Sequence, residues 1–595
     1  MAADKKTIEE FCRRKYDYLI VGGGTAGLVL ASRLSEDPFV TVGVLEAGEL
    51  QLDGPTLRKS SVGFYPMVED LNYDWGFQTE PQRHAHGIVY DLPSGKILGG
   101  SSVTNHNLFT RGCKTEYDDW ETLGNPGWNL QGLLPYFSKA EAQQPSKNGN
   151  PTFGDAHGSK ESEVAKQVVT STANDIAKGN TLWHNAWAEL GISGGPKQPM
   201  ETIVSSVAGT RTSSVEAYYL PVMHRGNLHV LTTVLASSVT FSTKEGSKLI
   251  ATGVEFLNFD DNYRCEAALE VIICSGAVMS PGILERSGIG SKDVLDEHGI
   301  KTLIHNSRVG ENLQDHAYTY SLLELETEEH SLDKNFGKLQ IGETSVKESD
   351  SSSATGLTLS TFVTYEHAAM GRVPPPPELI LDAIRRTPLL RKQYDLTLRR
   401  LHDPNVACFQ YQFVPGYASS LLPEPTPDDA NNFVAVLYSI STPFSRGAIH
   451  IESSDPRDYP TVDPSYLEHP LDMRLLRAAT RLSLDLICTG ALSSVTYDIV
   501  VPYQPMITEQ NYDEHACETC ESYFHPVGTC AMMPREDGGV VDPNLIVYGT
   551  ENLRVVDSSI IPLHISGDIE WTVYAIAEKA ADMIKDQRHM IQKII

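Results

Sequence analysis

Regular patterning begins with a short apolar run at residues 17–22, which stops at Gly22-Gly23-Gly24-Thr25-Ala26-Gly27. Leu28, Val29, Ala31 and Leu34 follow at helical spacing, and Val40, Val42, Val44 and Leu45 read as a second strand ending at Glu46. Strand, glycine turn, helix and strand in that order predict a βαβ unit of ~30 residues. Near the other end, residues 553–556 read as a strand and 573–584 as an apolar helix. The runs at 18–21, 271–274 and 433–440 read as core strands, far below the ~20 residues of a membrane-spanning helix.

The middle of the chain is less regular. Residues 142–162 are polar and rich in Gly, Pro, Ser and Lys, and read as a surface excursion. Residues 345–356 read as a mobile loop, and Pro374 to Pro377 as a rigid polyproline spacer rather than a partner motif. No internal repeat is found.

Composition changes this picture in one respect. With 41% hydrophobic and 21% charged residues over 595 positions, the chain can bury a large core without staples. A formal net charge of -29 argues against nucleic acid and anionic lipid surfaces as partners. The first residues carry Lys5, Lys6, Arg13 and Arg14 but no apolar stretch behind them, so no secretory signal is expected. Nine cysteines form no disulfide framework, and the candidate glycosylation triplet Asn150-Pro151-Thr152 is disqualified by its proline. These features together give the expectation of a cytoplasmic protein.

The spacing Gly22-x-Gly24-x-x-Gly27 is a dinucleotide fingerprint. Gly22 permits the tight turn, Gly24 lets backbone approach a pyrophosphate, Gly27 lets helix pack on strand, and the helix N-terminus faces the phosphates. Thr25 and Ala26 complete the turn. Glu46, 19 residues after Gly27, stands where a carboxylate accepts from a ribose hydroxyl, with Ala47 beside it. The fingerprint alone does not choose between FAD and NAD.

Five further motifs make that choice by resemblance. Gly95-Lys96-Ile97-Leu98-Gly99-Gly100-Ser101-Ser102-Val103-Thr104-Asn105 and the run from Gly276 to Gly290 resemble the two signatures of the glucose–methanol–choline (GMC) oxidoreductases. Val309-Gly310-Glu311-Asn312-Leu313-Gln314-Asp315-His316 follows at that family's spacing. Pro443-Phe444-Ser445-Arg446-Gly447 with Asp463-Pro464-Ser465-Tyr466-Leu467 resembles its C-terminal region, and His525-Pro526-Val527-Gly528-Thr529-Cys530 the stretch holding its catalytic histidine. The resemblance implies a mixed α/β fold, with a Rossmann-like FAD-binding domain and an interleaved substrate domain on an antiparallel sheet. Residues 15–60, 87–150, 205–316 and 505–590 are assigned to the first; 61–86, 151–204 and 317–504 to the second.

By the same resemblance, Trp75, Gly100, Ser101, Asn105, His106, Asn107, Leu108, Ala236, Asp557 and Ile569 sit against FAD. Members that tether the flavin covalently carry histidine at the position of Thr104. His106 lies two residues further on, along a segment expected to be extended, so FAD is expected to be noncovalent.

His525 is the expected base, removing the hydroxyl proton of an alcohol while hydride leaves the carbon; an imidazole with a pKa near 6.5 suits this at neutral pH. The second catalytic position, usually Asn or His, falls on Asp568, and Ile569-Glu570-Trp571-Thr572 departs as well. A carboxylate opposes the developing alkoxide. Asp568 could share a proton with His525, be held protonated by burial, act as the base itself, or hold a cationic substrate; a register slip of one or two residues is the dull alternative. Cys517-Glu518-Thr519-Cys520 has zinc-like spacing, but it lacks a second such pair and reads as helix, so no metal is expected. No Gly-x-Ser-x-Gly elbow is present.

The resulting expectation is a FAD-dependent oxidation of a small alcohol in secondary metabolism, with dioxygen one candidate acceptor. The alternative is a lyase, isomerase or cyclase on the same scaffold.

Overall fold

The computed structural model describes residues 4–51, 73–143, 168–172, 177–192, 203–204, 206–207, 210–242, 248–327, 330–331, 359–369, 390–416, 432–502 and 508–594. The sequence features at 345–356 and Pro374 to Pro377, and nearly all of 142–162, lie outside these residues.

The fingerprint segment folds as its pattern predicts. Strand β1 (Lys15–Val21), helix α1 (Thr25–Leu34) and strand β2 (Val42–Leu45) form a parallel βαβ unit, with Val21 opposite Leu45. Gly27 is required here: a Cβ on it would lie 1.9 Å from the Gly22 carbonyl oxygen, so only hydrogen lets α1 sit on the end of β1. Strands β3 (Leu228–Leu231), β4 (Leu235–Ser242), β5 (Ile250–Asn258) and β6 (Asp261–Ile273) complete a sheet in the order β3-β2-β1-β6-β5-β4. The long strand β6 serves two pairings. Its first half forms an antiparallel hairpin with β5, and its buried end runs parallel between β1 and the strand Leu553–Val555. The sequence run at 271–274 is thus only the buried end of a 13-residue strand.

Helix α2 (Gly276–Arg286) leaves the end of β6 and carries the second signature. The other layer is a mainly separate antiparallel sheet. Strands β7 (Ala317–Leu325), β8 (Leu359–Val363), β9 (Phe409–Val414) and β10 (Asn432–Ile440) pair in the order β8-β9-β10-β7, and Thr496–Val501 borders β7. One face packs on helix α3 (Pro470–Ile487): Phe409, Tyr411 and Phe413 share a core with Leu475, Leu476, Ala479 and Leu482. Two pairings cross the expected domain boundaries. Glu521–Ser522 adds to the start of β7, and Phe77–Gln78 pairs with Asp91–Leu92.

Helix α4 (Glu570–Ile594) closes the chain against α1. Arg33 forks onto the buried Glu578 with contacts of 2.7–3.0 Å, and Tyr218 donates to the same carboxylate at 2.9 Å. A buried charge so fully paired fixes the helix in register. This matters for the site, because Asp568 lies at the mouth of that helix. Among the described residues, no helix is long and apolar enough to cross a membrane.

Candidate active site

At the nucleotide end, Gly24 and Gly100 face each other across two turns; a Cβ on Gly24 would lie 3.8 Å from the Gly100 Cα. Thr25 and Ala26 open α1 at this point, and Ser101 opens the helical turn Ser101–Thr104. Bare backbone on both sides, with two helix starts, suits a pyrophosphate. Glu46 is buried beside it, and its two carboxylate oxygens accept from the Gly23 and Gly48 backbone N–H groups, both at 2.7 Å. Ala47 lies between those contacts. Burial pushes the Glu46 carboxyl up to about 7. Each oxygen keeps a lone pair to receive a ribose hydroxyl, so this end fits the nucleotide half of FAD.

The loop after Gly100 begins with a helical turn over residues 101–104, so Thr104, where the segment expected to be extended starts, is helical and buried; Gly99 and Gly100 both take positive φ and turn the chain beforehand. Asn105 is then extended and Asn107 takes φ 62°. Arg211, which the sequence reading missed, braces this loop. It donates to Asn105 Oδ1 at 2.5 Å, the Asn105 carbonyl at 2.6 Å and the Ser102 carbonyl at 3.2 Å. Leu108 is buried behind it. His106 is exposed, and desolvation followed by the Arg211 charge lowers its imidazole below the ordinary value.

Other expected cofactor residues have visible structural duties. Trp75 stacks on Phe77, centroids 5.6 Å apart, with the Lys96 ammonium 5.0 Å from its ring centre. Ala236 is a buried β4 residue. The Asp557 carboxylate accepts from Gly276 N and Ser280 Oγ on one oxygen and from Ser559 N and Oγ on the other, which ties the start of α2 to the end of Leu553–Val555. Ile569 packs on the main core. Cys517 and Cys520 lie at the end of helix Glu509–Thr519, with Cys517 donating to the His84 carbonyl; no metal-holding cluster occurs among the described residues.

At the reaction end, the structure brings His525 and Asp568 together. His525 Nε2 lies 3.6 Å from Asp568 Oδ1, beyond a direct hydrogen bond. Asp568 is 6% exposed; its Oδ2 accepts from the Thr110 hydroxyl at 2.9 Å, and Thr110 Oγ1 in turn accepts the Asp568 N–H at 2.6 Å. Burial raises the Asp568 carboxyl to about 6. Burial, followed by the nearby His564 and His106, lowers His525 to about 3. Burial thus works against the charged form of both partners. The segment carrying Asp568 is held by Glu116, which accepts from Ser566 N at 2.8 Å and Ser566 Oγ at 2.9 Å. Glu570, one turn-start further, is buried near Asn105, Arg211 and Tyr574, and its carboxyl is raised to about 7 by burial.

Asp315 and His316 were visible only as part of a motif, without a role. The structure gives them one. Asp315 accepts from His525 N at 2.8 Å and from the hydroxyls of Ser522 and Tyr466, each at 2.5 Å, so it fixes the backbone of the catalytic candidate. His316 Nδ1 lies 3.1 Å from His525 Nδ1, and the His316 and His564 rings overlap with centroids 3.7 Å apart. His564 Nε2 donates to the His525 carbonyl at 2.9 Å while its Nδ1 accepts from Ile565 N. Two neutral imidazoles facing through Nδ1 share one hydrogen, which leaves only His525 Nε2 to face Asp568.

Known proteins resemble this chain along nearly its whole length. The GMC oxidoreductase family matches through its N-terminal model at residues 16–318 and its C-terminal model at 443–577. A dehydrogenase of Monascus purpureus, mpl7, is 33% identical, covering 97% of this chain and 97% of its own. An oxygen-dependent choline dehydrogenase of Stenotrophomonas maltophilia is 32% identical, covering 96% of this chain and 95% of its own. Among solved structures, an FAD-dependent oxidoreductase from Chaetomium thermophilum superimposes with a TM-score of 0.83 at 28% identity, covering 97% of this chain and 100% of that one.

Proposed function

This chain belongs to the GMC oxidoreductase family and is an FAD-dependent oxidoreductase, and from that premise we propose that it oxidises an alcohol to a carbonyl with His525 as the base. The observation that carries this reading is the geometry at His525, whose Nδ1 lies 3.1 Å from His316 Nδ1 while its Nε2 faces Asp568 at 3.6 Å. In this reading Nδ1–H donates to His316, and Nε2 takes the hydroxyl proton as the carbon–oxygen double bond forms. Bound FAD supplies the hydride acceptor. The imidazolium so formed lies 3.6 Å from Asp568, and the carboxylate stabilises it there. Asp568 thus serves the proton half of the reaction, which gives a physical reason for a carboxylate at the second catalytic position.

We take the flavin to be noncovalent, since Thr104 offers no nucleophilic imidazole and is buried in the Ser101–Thr104 turn. The rebuilt segment 568–571 supports a tailoring step in secondary metabolism. The test is anaerobic addition of a panel of alcohols to the yellow protein: bleaching of the flavin is expected, and an oxygen electrode run in parallel separates oxidase from dehydrogenase. Acid precipitation should release free FAD into the supernatant. A second reading, a lyase, isomerase or cyclase, is favoured by the buried carboxylates Asp568 and Glu570 together. It requires product to form while the flavin stays oxidised.

A further inference from the structure

The antiparallel sheet has two faces with different chemistry. On β9, Tyr411 points toward α3 and donates to the Ala479 carbonyl at 2.9 Å, so its neighbours Gln410 and Gln412 point the other way. Strand register sets Phe362, Gln410, Ser439 and Tyr318 in one row across β8, β9, β10 and β7, all on that second face. Both ends of the row reach the reaction centre. A Cβ on Gly567, next to Asp568, would lie 3.4 Å from the Phe362 ring. Tyr318 packs on Tyr523 at 5.6 Å between centroids, and Tyr523 packs on His525 at 5.0 Å.

In the middle of this row the polar groups lack partners. Gln410 is 1% exposed and Ser439 1% exposed; neither the Gln410 amide nitrogen and oxygen nor the Ser439 hydroxyl has a hydrogen-bond partner among the described residues. The adjacent Gln412 shows the contrast, since it donates to Ser360 Oγ at 3.2 Å. A buried amide with all its donors and lone pairs unmet is costly. Such a group calls for a partner that the described residues do not supply.

We propose that Gln410 and Ser439 form a polar subsite for the far end of the substrate. The substrate is then an aromatic alcohol that carries, away from its reacting hydroxyl, a second hydroxyl or a carbonyl. The amide and the hydroxyl each both donate and accept, so together they match a group that does the same. Phe362 and Tyr318, flanking them in the row, supply flat apolar walls for a ring. This inference rests on the reading of His525 as the base for alcohol oxidation.

The test uses the flavin-loaded full chain. Flavin reduction is measured with benzyl alcohol and with its 3- and 4-hydroxy derivatives, in wild type, Gln410→Leu and Ser439→Ala. Wild type should favour a hydroxylated alcohol in kcat/KM by about 10²-fold or more, as sites built around a hydrogen bond do. Gln410→Leu should bring that ratio to within about threefold of unity, and Ser439→Ala should reduce it partially. A wild-type ratio near one, or a ratio untouched by both variants, overturns the subsite and leaves Gln410 satisfied by buried water only. A second readout separates this from failure of the oxidation itself. The flavin absorbance is titrated with 4-methylphenol and with toluene, which differ only in a hydroxyl. A perturbation specific to 4-methylphenol and lost in Gln410→Leu supports the subsite even if no alcohol bleaches the flavin. No such preference in a protein that also bleaches with none of the alcohols overturns both.

Discussion

At the nucleotide end, Gly22, Gly24, Gly27 and Glu46 come from one βαβ unit and are joined by backbone contacts such as Gly23 N to Glu46 at 2.7 Å. At the reaction end, Thr110, Asp315, His316, His525, His564 and Asp568 come from four separate stretches of chain and meet through contacts of their side chains. The first is a shape imposed by short-range sterics. The second is a set of proton positions that depends on which side chains burial forces together. Substitutions should therefore act differently in the two places: on flavin affinity in the first and on turnover in the second.

The largest effect is expected for His525→Ala, which should retain FAD and lose turnover by about 10²–10⁴-fold, the range of positioned acid–base catalysis. Stopped-flow reduction with a saturating alcohol measures it, and near-wild-type reduction would move the base elsewhere. Asp568→Asn should cost about 10²-fold, since it deletes the charge beside the imidazolium. It should also erase a pH limb. With Asp568 near 6, wild-type turnover rises with pH as the carboxylate ionises, whereas the Asn enzyme should show no rise there. Faster reduction in Asp568→Asn would show that the carboxylate hinders hydride transfer and that the reading of its role is wrong.

Glu46→Gln tests the other region. Loss of a charged acceptor should weaken FAD binding by roughly 1.5–3 kcal/mol while turnover at saturating FAD changes little. Because the Glu46 carboxyl sits near 7 and FAD prefers its ionised form, wild-type affinity should tighten as pH rises through 7, and the Gln protein should not follow. Fluorescence quenching of added FAD reads both. The smallest effect, about tenfold in turnover, is expected for His316→Ala, with recovery in His316→Gln, whose carbonyl can accept from His525 Nδ1–H. Equal losses in both would make His316 a packing residue rather than one that sets the tautomer.

The two regions were unequally legible in sequence. The βαβ unit appeared at nearly its final boundaries, because apolar periodicity and glycine spacing are local properties. The apolar pattern at 573–584 likewise marked the buried part of α4. Local reading failed where the chain serves two environments. Strand β6 alternates in its hairpin half and is apolar only where it enters the sheet, so most of it was not seen. The Ser101–Thr104 turn was missed because paired positive-φ glycines, not side-chain pattern, set it.

For this protein, then, the sequence by itself determined the nucleotide fold, its family and the two residues that meet at 3.6 Å, His525 and Asp568. Only the tertiary structure decided their chemistry. Whether an imidazole is a free base and a carboxylate an anion depends on desolvation and on neighbours hundreds of residues away, such as His316 beside His525 and Thr110 beside Asp568. The same holds for Arg211 under the loop of residues 102–105 and for Gln410 and Ser439 on the sheet face. Their importance is a matter of which hydrogen bonds they make or lack once buried, and no spacing along the chain records that.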